Sequence, residues 1–395
     1  MDSRVEYNIL IVFFLCFLLL SHAEGDSTWE LSRKQEFQFE QQLLNLKKSA
    51  IKSIQTDGDI YDCIDFYKQP GFSHPFWKNT PFQTKRKLFM EAMKTNVSLP
   101  LSFGLKDGGC PYGTVPIMRI DEDGLTRAKM SSKLYLTEPG HHYAILQTKP
   151  DLTKKIEGIQ ASFSCFNAKG IDGSQYSSFR MMLSNNLDSI KTGLTVNPLL
   201  FKDNKTRIFT HVVMDGRTQC FNYQCPGYIH LNPQIPLGNP INHVSVVGGD
   251  QQYATKLQVR KEYINTTELG WTLRVEENIV LGFWPTTIFN KLREFGNYAD
   301  WGGEVYSPLD QPSPAMGTGI RPRGYQWSTA NSAHSRFVAI IYEDFQSEFE
   351  RPSYVDTKVY ESDPKTYTIL NIGHRKKMFG DYLILYDGPG GITSN

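Results

Sequence analysis

From residue 142 onward the chain is a succession of short apolar runs broken by turn residues, and that pattern leaves few folds open. Residues 142–145, 160–166, 206–214, 228–231, 244–247, 271–275, 279–283, 337–342 and 382–386 are each strand-like. Asp215-Gly216 and Gly248-Gly249-Asp250 punctuate them. Runs of this length between Gly, Asp and Pro read as strands, and beyond residue 140 a helical pattern is found only over 286–295. Many short strands with little helix predict an antiparallel two-sheet β-sandwich. There is no internal repeat.

The first 140 residues have a different texture. An apolar core from Leu10 to Leu20, followed by Ser21-His22-Ala23, reads as a cleaved secretory signal over 1–23. No later stretch is long and apolar enough to span a bilayer, so no membrane association is expected after cleavage. Phe37, Leu44, Leu46 and Ile51 predict a helix over 30–56, stopped by Asp57-Gly58-Asp59. The Lys-rich run 75–100 reads as a loose or helical connector. Residues 121–141 are polar and read as an exposed, protease-accessible linker between a small N-terminal domain, 24–135, and a β domain, 136–395.

Charge and cysteine usage narrow the function classes. The net charge of +1 implies no polyanionic partner such as nucleic acid. With Cys16 inside the signal, five cysteines remain. Cys220 and Cys225 close a short loop and read as a local disulfide, leaving Cys63 to pair with Cys110 and Cys165 as a buried free thiol. Asn96, Asn204 and Asn265 head glycosylation sequons. No metal or cofactor is expected. A zinc knuckle at 220–230 lacks ligands, Gly388-Pro389-Gly390-Gly391 precedes no helix that could cradle a phosphate, and His141-His142 reads as a solvated linker pair.

One stretch carries a sharp chemical candidate. In Asp300-Trp301-Gly302-Gly303-Glu304-Val305-Tyr306, two glycines separate an aromatic from a carboxylate. Such a stretch suits a strand end or bulge that aims Glu304 into a cleft beside Trp301, Gly302, Gly303 and Tyr306. It also suits a turn with a solvated Glu, the ordinary place for a Glu side chain.

Several of these stretches together resemble the neprosin family of secreted plant proteins. Residues 62–70 and 110–117 resemble its activation-peptide domain. Residues 142–145, 220–227, Gly282-Phe283-Trp284-Pro285, Trp301-Gly302-Gly303-Glu304, Met316-Gly317-Thr318-Gly319 and Gly388-Pro389-Gly390 resemble its catalytic domain. The resemblance implies a secreted zymogen of a glutamic endopeptidase, prolyl-directed and active in acid. Two Glu face each other across a cleft and share a proton, because close like charges split their pKa values. Glu304 falls at one of these positions. The other falls on Lys191, in a stretch held in register by Gly193 and Pro198. Leu194 and the run Phe179-Arg180-Met181-Met182 also depart from the family pattern, and no Cys follows Cys225.

Three functional readings follow. The first is a secreted monomeric protein that has lost peptidase activity and binds a peptide, glycan or cell-wall material in the retained cleft. The second is an active acid endopeptidase cleaving Pro-containing peptides through Glu304. The third is a structural extracellular β domain.

Overall fold

The computed structural model describes residues 36–393, apart from 79, 94–103, 106–107, 138, 150–152, 265–267, 323–328, 354–355 and 375–381. The signal segment and the sequons at Asn96 and Asn265 lie outside the described residues. Asn204 is described and exposed.

The N-terminal part carries a helix over 36–45 and a three-stranded sheet of β1 (Ala50–Thr56), β2 (Asp59–Asp65) and β3 (Thr114–Met118). The helix expected over 30–56 therefore stops short. The run Ala50 to Thr56 pairs with β2 instead, in continuous register from Lys52 onward after a register shift at Ile51, and its β-branched residues suit that ladder. A disulfide joins Cys63 to Cys110, with Cα atoms 5.5 Å apart. Helices Pro75–Lys78 and Phe82–Met93 occupy the connector.

The sandwich strands follow in order: β4 (His141–Thr148), β5 (Ile156–Ser164), β6 (Tyr176–Asn185), β7 (Asp188–Val196), β8 (Arg207–Met214), β9 (Thr218–Phe221) and β10 (Ile229–His230). Next come β11 (Ala254–Tyr263), β12 (Leu269–Val275), β13 (Ile279–Pro285), β14 (Tyr298–Tyr306), β15 (His334–Tyr342), β16 (Thr357–Glu361), β17 (Thr368–His374) and β18 (Tyr382–Asp387). One sheet runs β10-β13-β12-β11-β5-β15-β18-β17 and the other β16-β4-β14-β6-β7-β8-β9. Every strand pairing among the described residues is antiparallel, so the chain is mainly β, as its turn-broken sequence predicts.

Alternation along each strand sends one set of side chains between the sheets. Trp301, Met181, Leu183 and Leu194 from one sheet and Ile159, Phe163 and Trp271 from the other are fully buried there. Trp301 donates its indole N–H to the Gln160 carbonyl at 3.1 Å. Cys165 is a buried free thiol, pushed up to about 12 by its burial, and Cys220 is bonded to Cys225.

Three further expectations are corrected. Residues 244–247 form no strand: Val244, Val246 and Val247 are exposed in a loop that makes one isolated bridge through Ser245. The helix expected over 286–295 shrinks to the single turn Thr286–Ile288. Residues 121–141 are no exposed linker. They form a sixteen-residue helix, Glu122–Thr137, that lies on the sandwich and runs almost directly into β4. Leu125, Ala128, Ser132 and Tyr135 sit at 3-4-3 spacing on one face, and all four are buried. This cover helix shares an apolar cluster with Leu200, Phe209, Phe221 and Tyr306. The rest of the N-terminal part is docked by backbone: Cys110 N–H donates to Pro233 O at 2.8 Å, and Gly227 N–H to Gly71 O at 3.2 Å. Any side chain at Gly71 would collide with the Tyr228 carbonyl.

Candidate active site

The site lies on the face of the seven-stranded sheet that the cover helix covers. Its floor is set by register. Asp300, Gly302, Glu304 and Tyr306 alternate on the outer face of β14, while Trp301, Gly303 and Val305 point into the core. Three cross-strand rows result. Glu304 is opposite Ser178, which is opposite Thr195; Gly302 is opposite Arg180, which is opposite Gly193; Asp300 is opposite Met182, which is opposite Lys191. Arg180 therefore stands between two glycines, and the missing side chains leave its guanidinium room to lie along the floor. Gly302 has φ +144°, and a Cβ there would meet the Ala144 carbonyl, so no other residue fits.

This geometry corrects the expected local structure. The Trp-Gly-Gly-Glu stretch is neither a strand end nor a bulge; it runs in unbroken register in the interior of the sheet. Trp301 and Gly303 line the core and not the site. At Gly303 a Cβ would meet the Met316 sulfur, which is a packing constraint between sheets. Nor is His141-His142 a solvated pair: both belong to β4, and His142 is buried against Tyr367.

Glu304 is completely buried. Its Oε1 accepts from the Tyr176 hydroxyl at 2.6 Å and from Lys191 Nζ at 3.0 Å. Its Oε2 accepts from Arg180 Nε at 2.8 Å and from Lys191 Nζ at 2.9 Å. His141 Nδ1 stands 3.8 Å from Oε1. Arg180 also pairs with Asp300, whose Oδ2 accepts from the Tyr298 hydroxyl at 2.9 Å. Two carboxylates and two cations thus close a balanced tetrad out of water. Burial pushes the Glu304 carboxyl up, but Lys191, Arg180 and His141 together with the Tyr176 bond overcome it and hold the group well below the usual carboxylate range. Burial pulls the Lys191 ammonium down, and Glu304 opposes that pull. His211, opposite Lys191 on β8, is drawn down to about 3 by burial with Lys191 adding, so it stays neutral.

The roof over this floor is Tyr135 of the cover helix. Its ring stacks on Tyr176 at 4.1 Å between centroids and meets Phe221 edge-on at 4.7 Å. Lys191 Nζ lies 4.8 Å from its centroid, and its hydroxyl is 3.0 Å from Ser178 Oγ.

Of the residues singled out from sequence, the fold brings together Lys191, Glu304 and Tyr306 with Gly302 beneath them. It keeps Trp301, Gly303 and the disulfides apart from this site. Tyr176, Tyr135, Asp300 and His141 were not read as site residues from sequence, and Arg180 only as a departure from pattern. The available signal for Arg180 was a charged residue inside an otherwise apolar strand. Among the described residues no three His, Cys, Asp or Glu converge as a metal would need, and no helix is long and apolar enough to cross a membrane.

Compared with known proteins, residues 173–389 match the family described as Neprosin, and residues 50–155 match the Neprosin activation peptide. Among solved structures the chain is similar to two of scytalido-glutamic peptidase, each holding a transition-state analogue. Both are 10% identical over 64% and 63% of this chain and 98% of the other, with TM-scores of 0.29 and 0.31.

Proposed function

The chain belongs to the neprosin family, and on that premise we propose that it is a secreted member whose cleft binds peptide or cell-wall material without cutting it. The observation that carries this reading is the Lys191–Glu304 ion pair. Peptide hydrolysis by paired carboxylates needs one to accept a proton from water and the other, protonated, to give one to the carbonyl or leaving amine. Here the partner is an ammonium, which accepts nothing while charged. Glu304 has about four lone-pair sites, and four hydrogen bonds already engage them. A water molecule finds no free oxygen lone pair, and no proton can be lodged on a carboxyl held so strongly ionised.

Export is supported by the apolar segment 10–20 and by two disulfide pairs, which suit an oxidising compartment. The test is incubation of Pro-containing peptides across acid pH with the wild-type chain and with Tyr135→Ala, which clears the roof of the site. The expected result is no cleavage above buffer in either. Cleavage that disappears in Glu304→Gln would overturn the reading and install an acid endopeptidase in which Lys191 tunes a working Glu304.

A further inference from the structure

We propose that the pocket under the cover helix is a tyrosyl-binding site: vacated by Tyr135, it takes the side chain of a tyrosine presented by a peptide ligand. This rests on the reading that the cleft binds without cutting, and it names what the cleft binds.

The pocket is built around a phenol. Tyr176 supplies a stacking surface 4.1 Å away, and Phe221 an edge contact at 4.7 Å. His211, neutral, lies at 5.1 Å. Lys191 places its ammonium 4.8 Å from the ring centroid, in a site from which water is excluded. A cation there favours an aromatic face, which presents negative quadrupole, over an aliphatic ring, which presents none. The residue that disables the carboxylate pair thus also shifts the pocket's preference away from proline and toward aromatic side chains. Ser178 Oγ selects among aromatics: it meets the phenol oxygen at 3.0 Å and is itself held by Thr195 Oγ1 at 2.8 Å. A phosphorylated or ionised tyrosine is disfavoured, because its negative charge would be buried near Glu304, which together with burial already raises the Tyr135 hydroxyl above its ordinary pKa. The ligand is therefore an unmodified tyrosine.

The experiment uses full-length Tyr135→Ala, titrated calorimetrically with N-acetyl-tyrosinamide, N-acetyl-phenylalaninamide and N-acetyl-prolinamide. The tyrosine derivative should bind; the phenylalanine derivative should bind roughly 3- to 10-fold more weakly for want of one neutral hydrogen bond. The proline derivative should be undetectable. Adding Lys191→Gln should weaken tyrosine binding roughly 30-fold, the scale of a desolvated cation–π contact. Proline binding as well as tyrosine, or none of the three binding while p-cresol still raises the melting temperature of Tyr135→Ala, would overturn the proposal; the second outcome makes the pocket a private seat for Tyr135. If Tyr135→Ala does not fold unaided, the same three compounds are supplied during refolding. Selective recovery with the tyrosine derivative supports the proposal, and equal recovery or none with all three overturns it. Each of these outcomes is separable from failure of the binding reading itself, which is read from Glu304-dependent cleavage.

Discussion

Glu157 on β5 and Lys261 on β11, adjacent strands of the eight-stranded sheet, form a buried ion pair at 3.0 Å. Glu304 and Lys191 form another at 2.9 Å on the opposite sheet. The chemistry is the same, yet the two carboxyls respond in opposite directions. Burial raises the Glu157 carboxyl, and Lys261, whose ammonium also bonds the Glu294 carbonyl, reverses only part of that. Glu304 is more deeply buried and is nevertheless held low, because Arg180 and Tyr176 add their donors to those of Lys191. What fixes the ionisation of a buried carboxylate here is the number of donors converging on it, more than the presence of one counter-ion.

The largest test of that contrast is Glu304→Gln. It leaves Lys191 and Arg180 buried against Asp300 alone and should cost roughly 3–5 kcal/mol in denaturant unfolding at neutral pH. Its pH dependence is signed. A carboxyl depressed in the folded state contributes stability that is present above its unfolded value of about 4.3 and is lost as pH falls below it. Glu304→Gln should therefore flatten the acid limb of the stability curve; an unchanged acid limb would break the contrast.

Next in size is Lys191→Glu, which gathers three carboxylates around Arg180 and should force at least one to hold a proton. Its raised folded-state pKa reverses the slope: the variant should gain stability as pH falls from neutral toward about 4, where the wild type does not. Peptide cleavage by this variant should stay weak, because Arg180 still holds Glu304. Lys191→Glu with Arg180→Gln is the combination expected to give more.

Tyr176→Phe removes one charge-assisted hydrogen bond and should cost about 1.5–3 kcal/mol. The smallest effect is expected from Glu157→Gln, and it has the opposite sign: a slight gain in stability at neutral pH, because the fold disfavours the ionised form of a carboxyl whose pKa it raises. Because the folded carboxyl of Glu157 is raised, it protonates readily, and its difference from Gln should vanish in mild acid. An equal cost for Glu157→Gln and Glu304→Gln at pH 5 would mean that the extra donors on Glu304 add nothing.

The sandwich was legible from sequence because period-2 alternation and Gly/Asp turns are local signals, and strands such as β12 and β18 fall where their apolar runs stand. Glu304 was legible because its glycines are written beside it. The cover helix was not, although Leu125, Ala128, Ser132 and Tyr135 have helical spacing. Gly124 and paired serines lower its propensity, and two of its four inward residues are small or polar, so the stripe reads as linker. Arg180 and Tyr176 join Glu304 only through pairings and contacts spanning more than a hundred positions, and Tyr135 reaches the site through partners on β6, β7 and β9, none of which a local pattern encodes.

That distance has a consequence for how the molecule is made. His141 on β4 pairs with Tyr306 on β14, so the ribosome must add about 165 more residues after His141 before its partner exists. At about 5–20 residues per second that wait is on the order of 8–30 s. Throughout it the inner edge of β4 lacks its neighbouring strand, and Tyr135 itself waits for Phe221, while the N-terminal sheet, whose strands and Cys63–Cys110 bond lie within residues 50–118, already has every strand and disulfide partner it needs. The N-terminal sheet can thus mature before the cover helix that follows it in sequence finds the floor it closes.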